Sequence, residues 1–143
     1  MPVERLIINN DVSELRRVTD WLRASAAASA LPAEILHKLD VCANEALINI
    51  ISYAYEDTRR HEITVELNAT PHGASLVIRD DGKPFDLLAA PATAAPASLD
   101  EAAVGGLGIR LIRRLATRLD YRRENGVNVL SLETERTLQP SDA

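Results

Sequence analysis

The chain has 143 residues, of which 46% are hydrophobic and 26% charged, and its formal net charge at pH 7 is −5. This length and composition predict one globular domain with its own core, and the acidic balance argues against nucleic acid or an anionic membrane as the main partner. Cys42 is the only cysteine, which excludes an internal disulfide and a cysteine metal cluster. The sequence shows neither a signal-peptide pattern nor an apolar run of about 18 residues, so we expect a cytoplasmic protein.

The first part of the chain predicts a strand followed by two helices. Residues 3–9 alternate and are rich in β-branched side chains, as is typical of a strand. Asn10 or Asp11 can cap the helix that follows, and Leu31-Pro32 ends it. Pro32 suits the first turn of a second helix over residues 32–55, whose apolar positions recur at helical spacing. Among them, we expect Cys42 to be a small buried core residue.

The middle of the chain predicts a hairpin and then a long connection. Residues 62–68 and 74–79 alternate as strands, and the turn Thr70-Pro71-His72-Gly73 joins them, which favours antiparallel pairing. Residues 87–104 are rich in Ala and Pro and keep neither a helical nor a strand period. This segment therefore reads as a connection without regular structure.

The last part predicts a helix and a second hairpin. Residues 108–119 have helical periodicity, and strands at 119–124 and 127–133 flank an Asn-Gly turn. The fold class is therefore α+β: a two-layer sandwich with a mostly antiparallel mixed sheet and helices on one face. We assign residues 1–136 to a single domain and expect residues 137–143 to form a frayed tail.

Glu45 and Asn49 are a carboxylate and a carboxamide in an otherwise apolar helical run, and four residues on a helix bring them to one face. An amide oxygen is a suitable ligand for Mg²⁺, and a carboxylate one turn away can take a proton from a hydroxyl. The alternative is that both side chains lie on an exposed face without a function.

Two glycine-bearing segments follow. Asp80 ends a predicted strand and can accept a hydrogen bond from an exocyclic amino group, while Gly82 lets a ligand approach the backbone; the alternative is an exposed Asp-Gly turn. Residues 105–108 read Gly-Gly-Leu-Gly and begin a helix, so they can offer backbone N–H groups to phosphates, and Arg110 can add charge. Here the alternative is a flexible linker that ends at a helix.

A basic cluster follows these glycines. It contains arginines only, and we expect it to be a solvated face, with an acidic protein or a phosphate as the alternative ligand. Its members are Arg110, Arg113, Arg114, Arg118, Arg122 and Arg123.

The order of these segments resembles the GHKL (Bergerat) ATP-binding domain, and within it the small anti-sigma-factor serine kinases and histidine-kinase-like ATPases. NEALINIISYAYED resembles the N box of the family, DDGKPFD its first glycine box and GGLGIRLIRRL its second. DYRRENGVNVLSL resembles the closing hairpin, in which Asn128 precedes the last strand. The resemblance extends from Val3 to about Leu132, and three boxes in order are more specific for the fold than for kinase activity.

The resemblance implies a role for each matching residue. Glu45 would be the general base that activates a substrate serine, Asn49 would bind Mg²⁺, and Asp80 would bind the adenine amino group with Gly82 beside it. The phosphates would contact the second glycine box and the charges near it, and residues 87–104 would be the ATP lid. These phosphate contacts would come from Lys83, Gly106, Leu107, Gly108 and Arg110.

The resemblance also implies the function. The chain would be a serine kinase that uses ATP and Mg²⁺, phosphorylates an anti-sigma-factor antagonist and holds a sigma factor, with a homodimer formed through residues 3–9. The lid has no Lys or Arg between Lys83 and Arg110, so an ATP-binding regulatory module without kinase activity is the alternative. A domain detached from a histidine kinase is a third interpretation, which the lack of a dimerisation helix bearing a phosphoacceptor His in this short chain disfavours.

Overall fold

The computed structural model of this chain describes residues 3–84 and 107–137. These residues form strands and α-helices in the predicted order, with a short 3₁₀ turn at Val12–Glu14. The strands are β1 (Glu4–Asn9), β2 (Glu62–Thr70), β3 (Gly73–Asp80), β4 (Arg118–Glu124) and β5 (Val127–Glu135), and the helices are α1 (Leu15–Ala28), α2 (Ala33–Tyr53) and α3 (Leu107–Leu115).

The strands form one sheet in the order β1-β2-β3-β5-β4, and each of the four described pairings is antiparallel. Ile8 lies opposite Ile63, and Ile78 lies opposite Leu130. All four side chains are buried, because alternate residues of a strand point to the same face and α1 and α2 pack on that face. The two-layer α+β prediction is confirmed.

Helix α2 supplies most of the helical side of the core. Leu39, Ala46 and Leu47 are fully buried, as the helical spacing of apolar residues predicts. Cys42 is also fully buried, and burial raises the pKa of its thiol to about 11. The expectation of a small core cysteine is confirmed.

The start of α1 differs slightly from the prediction. The Asp11 side chain accepts a 2.9 Å hydrogen bond from the Ser13 N–H, but the residues that it caps form the 3₁₀ turn, and α1 begins at Leu15. After the end of α1, Ala30 adopts a φ of 54°, and Leu31 N–H donates to the Ala26 carbonyl. A left-handed residue with this bond is a common helix stop.

Two helices are predicted to extend further than they do. Helix α2 ends at Tyr53 rather than at residue 55, and the Ala54 carbonyl accepts a hydrogen bond from Lys83 N–H after β3. Helix α3 ends at Leu115 rather than at residue 119, because Thr117 N–H donates to the Glu133 carbonyl of β5. In both places a backbone bond to another element replaces the next helical turn.

Both predicted turns are present. Asn125 and Gly126 have φ values of 51° and 79°, as a tight two-residue hairpin requires. Thr70 lies opposite Gly73 across the other turn. A Cβ at Gly73 would lie 1.9 Å from the Thr134 carbonyl oxygen, so only glycine fits where β3 meets β5.

Several predictions lie outside the described residues. These are the irregular connection at 87–104, Gly106 and most of the frayed tail. Thr137, the first residue of that predicted tail, donates from its backbone N–H to the Glu34 carboxylate at 2.8 Å. Within residues 3–84 and 107–137, no helix has both the length and the apolar character needed to span a membrane.

Candidate functional site

Asp80 is the best-defined residue of the candidate site. It ends β3 with its side chain on the helix-covered face of the sheet, since Ile78 two residues earlier is buried there, and Asp80 itself is only 4% exposed. Its Oδ1 accepts a 2.9 Å bond from Gly82 N–H and a 3.0 Å bond from the Asn128 amide. The predicted strand-end carboxylate is therefore buried and held in place by two donors.

Burial raises the pKa of Asp80, because the charged form loses water. The bonds from Asn128 and Gly82 and the positive charge of Arg123 act in the opposite direction, while the negative charge of Asp81 adds to the rise. The outcome is a carboxylate that the protein stabilises only in part and that gains from a further hydrogen-bond donor.

Gly82 packs directly against the end of α2. A Cβ at this position would lie 2.5 Å from the carbonyl oxygen of Ala54 and 2.7 Å from its Cβ, so a larger residue would push the turn away from the helix. Lys83 N–H binds the same carbonyl at 2.8 Å, and Arg123 donates to the Gly82 carbonyl at 3.0 Å. The glycine turn is thus fixed between α2 and β4.

Glu45 and Asn49 lie one turn apart in the second half of α2. Asn49 is 2% exposed, and its Nδ2 donates a 2.8 Å bond to the Glu45 carbonyl, whereas Glu45 is half-buried. Because the amide nitrogen is occupied within the helix, Oδ1 is the atom that can serve as a metal ligand. Asn44, by contrast, faces α1. Its amide donates to the Thr19 hydroxyl of α1 and to the Asp40 carboxylate of α2.

Helix α3 carries part of the second glycine box. Leu107 and Gly108 are its first residues, and the buried Ile109 and Ile112 anchor it in the core, where it packs against α2. Arg110 is exposed in the first turn. The predicted phosphate-binding segment therefore leads into a helix N-terminus, next to the helix that carries Glu45 and Asn49.

Lys83 and Asp81 have partners on the connection after α2. The Lys83 ammonium lies 3.0 Å from the Glu56 carboxylate, and its side chain is 47% exposed. Asp81 accepts a 3.4 Å bond from the Tyr55 hydroxyl and lies 3.5 Å from His61. The structure thus brings the Asp80–Lys83 turn against the end of α2, but the Lys83 side chain points to an acid.

Two cavities lie elsewhere, and neither is lined by a predicted site residue. One of about 600 Å³ lies among the end of β1, the turn before α1 and residues 55–60. The other, of about 590 Å³, lies on the face of β3, β4 and β5 away from the helices. Among the residues described, His, Cys, Asp and Glu side chains form no group of three that could hold a metal ion.

Residues 8–134 match the histidine kinase-like ATPase domain family. The chain belongs to this family. That assignment accounts for the antiparallel sheet, the helices on one face and the order of the three predicted segments. It also confirms the family resemblance drawn from the sequence.

Two relatives of this chain have names that state an activity. The chain is 37% identical to serine/threonine-protein kinase BtrW of Bordetella bronchiseptica over 112 residues, which cover 78% of this chain and 79% of BtrW. It is 24% identical to serine-protein kinase RsbW of Bacillus velezensis over 98 residues, which cover 66% of this chain and 61% of RsbW. The names of both relatives describe protein kinases that act on serine.

The surroundings of Asp80 include residues that the sequence analysis did not assign to the candidate site. The Asn128 amide oxygen accepts bonds from the Tyr121 hydroxyl and from Arg123 at 2.9 Å. Its nitrogen donates to Asp80 and to the Lys83 carbonyl. The hairpin register could have revealed them, because a two-residue Asn-Gly turn sets Arg123 opposite Asn128.

The basic cluster predicted as a solvated face is therefore divided. Arg122 pairs with Glu124 at 3.0 Å on the surface. Arg123, its neighbour in β4, is exposed too, but its guanidinium reaches the Gly82 turn and Asn128. Successive strand residues point to opposite faces, so only one of the two arginines can face Asp80.

Proposed function

We propose that this chain is an ATP-dependent protein serine kinase. The observation that carries the proposal is Asp80, a buried carboxylate held by Asn128 and Gly82 beside a turn with no room for a side chain. Such a site suits a flat, mostly apolar base with one donor group. Family membership and the names of the two relatives support the phosphoryl-transfer chemistry.

Asp80 is the acceptor that we assign to the adenine amino group, and Gly82 is the point at which the base contacts the backbone. The bonds described from Asn128 and Gly82 use Oδ1, so we assign Oδ2 to adenine. The raised pKa of Asp80 favours this role, because an incompletely stabilised carboxylate gains from one more donor.

We assign the phosphates to the second glycine box. Backbone N–H groups of Gly106, Leu107 and Gly108 precede or open α3, where unpaired N–H groups and the helix dipole favour anions. Arg110, one turn into α3 and exposed, adds a positive charge. Lys83 can join only by leaving Glu56, and an exposed ion pair of this kind costs at most about 1 kcal/mol to break.

Asn49 fits a magnesium site shared with phosphate oxygens. Its carboxamide is buried and oriented by the Glu45 carbonyl, and Mg²⁺ in nucleotide sites takes one or two protein oxygens, water and phosphate. Bound there, the ion would neutralise charge on the phosphates. Glu45 accepts the proton of the substrate serine hydroxyl while the serine oxygen bonds to the γ-phosphorus of ATP and ADP leaves. This role needs a carboxylate within hydrogen-bonding reach of the hydroxyl.

The partners follow from the resemblance to anti-sigma-factor kinases. We propose that the substrate is an anti-sigma-factor antagonist, that the chain also sequesters a sigma factor, and that it acts in the cytoplasm as one domain over residues 1–136. A homodimer is supported by β1, which is an edge strand of the sheet; Ile7 within β1 and Val3 just before it are about half exposed. An uncovered strand edge can pair with a second copy.

Phosphotransfer tests the kinase proposal. Purified chain is incubated with radiolabelled ATP, Mg²⁺ and the antagonist-type protein encoded nearest to it, and Glu45→Gln is compared with Glu34→Gln at the other end of α2. We expect labelled serine with wild type and with Glu34→Gln, and a loss of at least about a hundredfold with Glu45→Gln, as for other general bases. Nucleotide binding without any labelled serine would contradict the proposal.

The Lys83–Glu56 ion pair favours a second candidate, an ATP-binding regulatory module. With Lys83 engaged, and no Lys or Arg between Lys83 and Arg110 in the sequence, the site has little positive charge to stabilise the transferred phosphoryl group. For a module of this kind, wild type and Glu45→Gln would bind the partner protein with equal affinity. Neither form would transfer phosphate.

A further inference from the structure

The orientation of the Asn128 amide is set from both ends. Its oxygen accepts from the Tyr121 hydroxyl and from the Arg123 guanidinium, which can only donate, and its nitrogen faces the Asp80 carboxylate and the Lys83 carbonyl, which can only accept. A flipped amide would lose the bonds to Arg123, Asp80 and Lys83 and could keep only a bond to the Tyr121 hydroxyl, which both donates and accepts. Arg123 therefore sets the orientation in which the Asn128 amide donates to Asp80, and Tyr121 adds a further bond to that orientation.

This orientation decides what Asp80 can offer to a ligand. Two N–H donors, from Gly82 and Asn128, point at its Oδ1, and donors of this kind favour the ionised carboxylate over the acid. Arg123 also brings the positive charge that acts on Asp80. An ionised carboxylate only accepts, whereas a protonated one can also donate.

We propose that Arg123 is a positioning residue for nucleobase specificity: by orienting Asn128 and holding the Gly82 turn, it keeps Asp80 a pure hydrogen-bond acceptor. The inference rests on the ATP site proposed above and adds the residue that sets its selectivity. A purine with an amino group at position 6 donates to such an acceptor. A purine with a carbonyl group at that position presents a second acceptor and is rejected, because a buried unpaired polar atom is costly.

The charged and titratable groups around Asp80 make this selectivity depend on pH. Asp81 and Tyr55 face Asp80 from its own turn and from the end of α2, and Arg123 faces it from β4. Of the two charges that act on the pKa of Asp80, Arg123 opposes protonation and Asp81 favours it, so the loss of Arg123 leaves the effect of Asp81 unopposed. Asp80 then keeps its proton to higher pH, and the acid can donate to a carbonyl at position 6.

The test compares ATP with ITP, which differs from ATP in carrying a carbonyl at position 6. Binding of each nucleotide with Mg²⁺ to the full chain is measured by calorimetry from about pH 5 to pH 8, a range that begins near the ordinary titration of a carboxyl group. The variants are Arg123→Met, Arg123→Lys and Tyr121→Phe. Arg122→Met is the matched control, because Arg122 lies next in β4 but pairs with Glu124 on the other face.

We expect Arg123→Met to weaken ATP binding about tenfold, the loss typical of a hydrogen bond to a charged group, and to strengthen ITP binding only at the acid end of the range. The preference for ATP therefore falls, and it falls most at the acid end of the range. Arg123→Lys restores part of the preference, Tyr121→Phe lowers it less than Arg123→Met does, and Arg122→Met leaves it unchanged.

An Arg123→Met protein that melts like wild type and keeps the wild-type preference for ATP at every pH would overturn the proposal. If Arg123→Met does not fold, an unchanged preference in Tyr121→Phe would overturn it instead. Wild type that binds neither nucleotide would remove the proposed kinase function and this role with it. If wild type binds ATP and the variants keep the wild-type preference for ATP over ITP, only the role of Arg123 is contradicted.

Discussion

Asn49 donates a 2.8 Å hydrogen bond from its side-chain amide to the carbonyl of Glu45, one turn earlier in α2. Asn44 makes the same bond to the Asp40 carbonyl, also at 2.8 Å. The two asparagines differ in direction: Asn44 contacts Thr19 of α1, whereas Asn49 lies on the side that it shares with Glu45. One helix therefore carries two similar amides, of which we assign only Asn49 to magnesium.

Asn49→Ala is expected to weaken the binding of ATP in the presence of Mg²⁺ by at least about tenfold, a loss typical of disturbed metal sites. Binding measured in EDTA should change much less, because the adenine contacts remain. Asn44→Ala removes an equivalent helix bond, so it controls for folding. We expect it to lower the melting temperature while it preserves the magnesium dependence, and equal losses in the two variants would speak against the metal assignment.

Gly82→Ala is expected to destabilise the fold and to weaken nucleotide binding. Its Cβ would meet Ala54 at 2.5 Å, and overpacking of this kind costs about 1–3 kcal/mol. Gly126→Ala is the matched control. An added Cβ at Gly126 would have no atom of the described residues within 4 Å, so alanine would be destabilised there only by the φ of 79°, at about 1 kcal/mol. Denaturant unfolding should show a loss in both, but calorimetry should show weaker ATP binding in Gly82→Ala alone.

Asp80→Asn should separate stability from binding. Burial raises the folded-state pKa of Asp80 above its unfolded value, so its contribution to stability is full below the unfolded pKa and is lost as pH rises through the folded pKa. An amide does not titrate. The melting temperatures of wild type and Asp80→Asn should therefore diverge from acid to neutral pH, with Asp80→Asn the more stable at neutral pH. An Asp80→Asn protein that is less stable than wild type at neutral pH would contradict this account of the carboxylate.

The sequence predicted the elements that hydrophobic periodicity and turn chemistry determine. Asn125-Gly126 fixed the second hairpin, and Leu39 and Leu47 marked the buried face of α2. The helix ends were missed because they depend on residues far away in the sequence. Thr117 N–H donates to the Glu133 carbonyl, and Lys83 N–H donates to the Ala54 carbonyl. Local propensity cannot report a hydrogen bond to a strand that comes later in the chain.

The same distinction applies to the candidate site. Asp80 and Gly82 were found because their Asp-x-Gly spacing is local, and the buried carboxylate and the crowded glycine agree with that interpretation. Arg123 was assigned only to a basic cluster, since its contact with Gly82 joins residues 41 positions apart. The part of the site that orients Asp80 is built by sheet register, which a single segment does not reveal.

Binding of ATP with Mg²⁺ by Asp80→Asn and by Asp81→Asn, measured against wild type by calorimetry, tests the central claim most directly. Asp81 is the adjacent carboxylate, but its side chain is 60% exposed, so its loss should change the affinity by no more than about twofold. Asp80→Asn should lose at least about tenfold, as expected when a bond to a buried charge is removed. Wild-type affinity in Asp80→Asn would contradict the nucleotide site proposed for this protein.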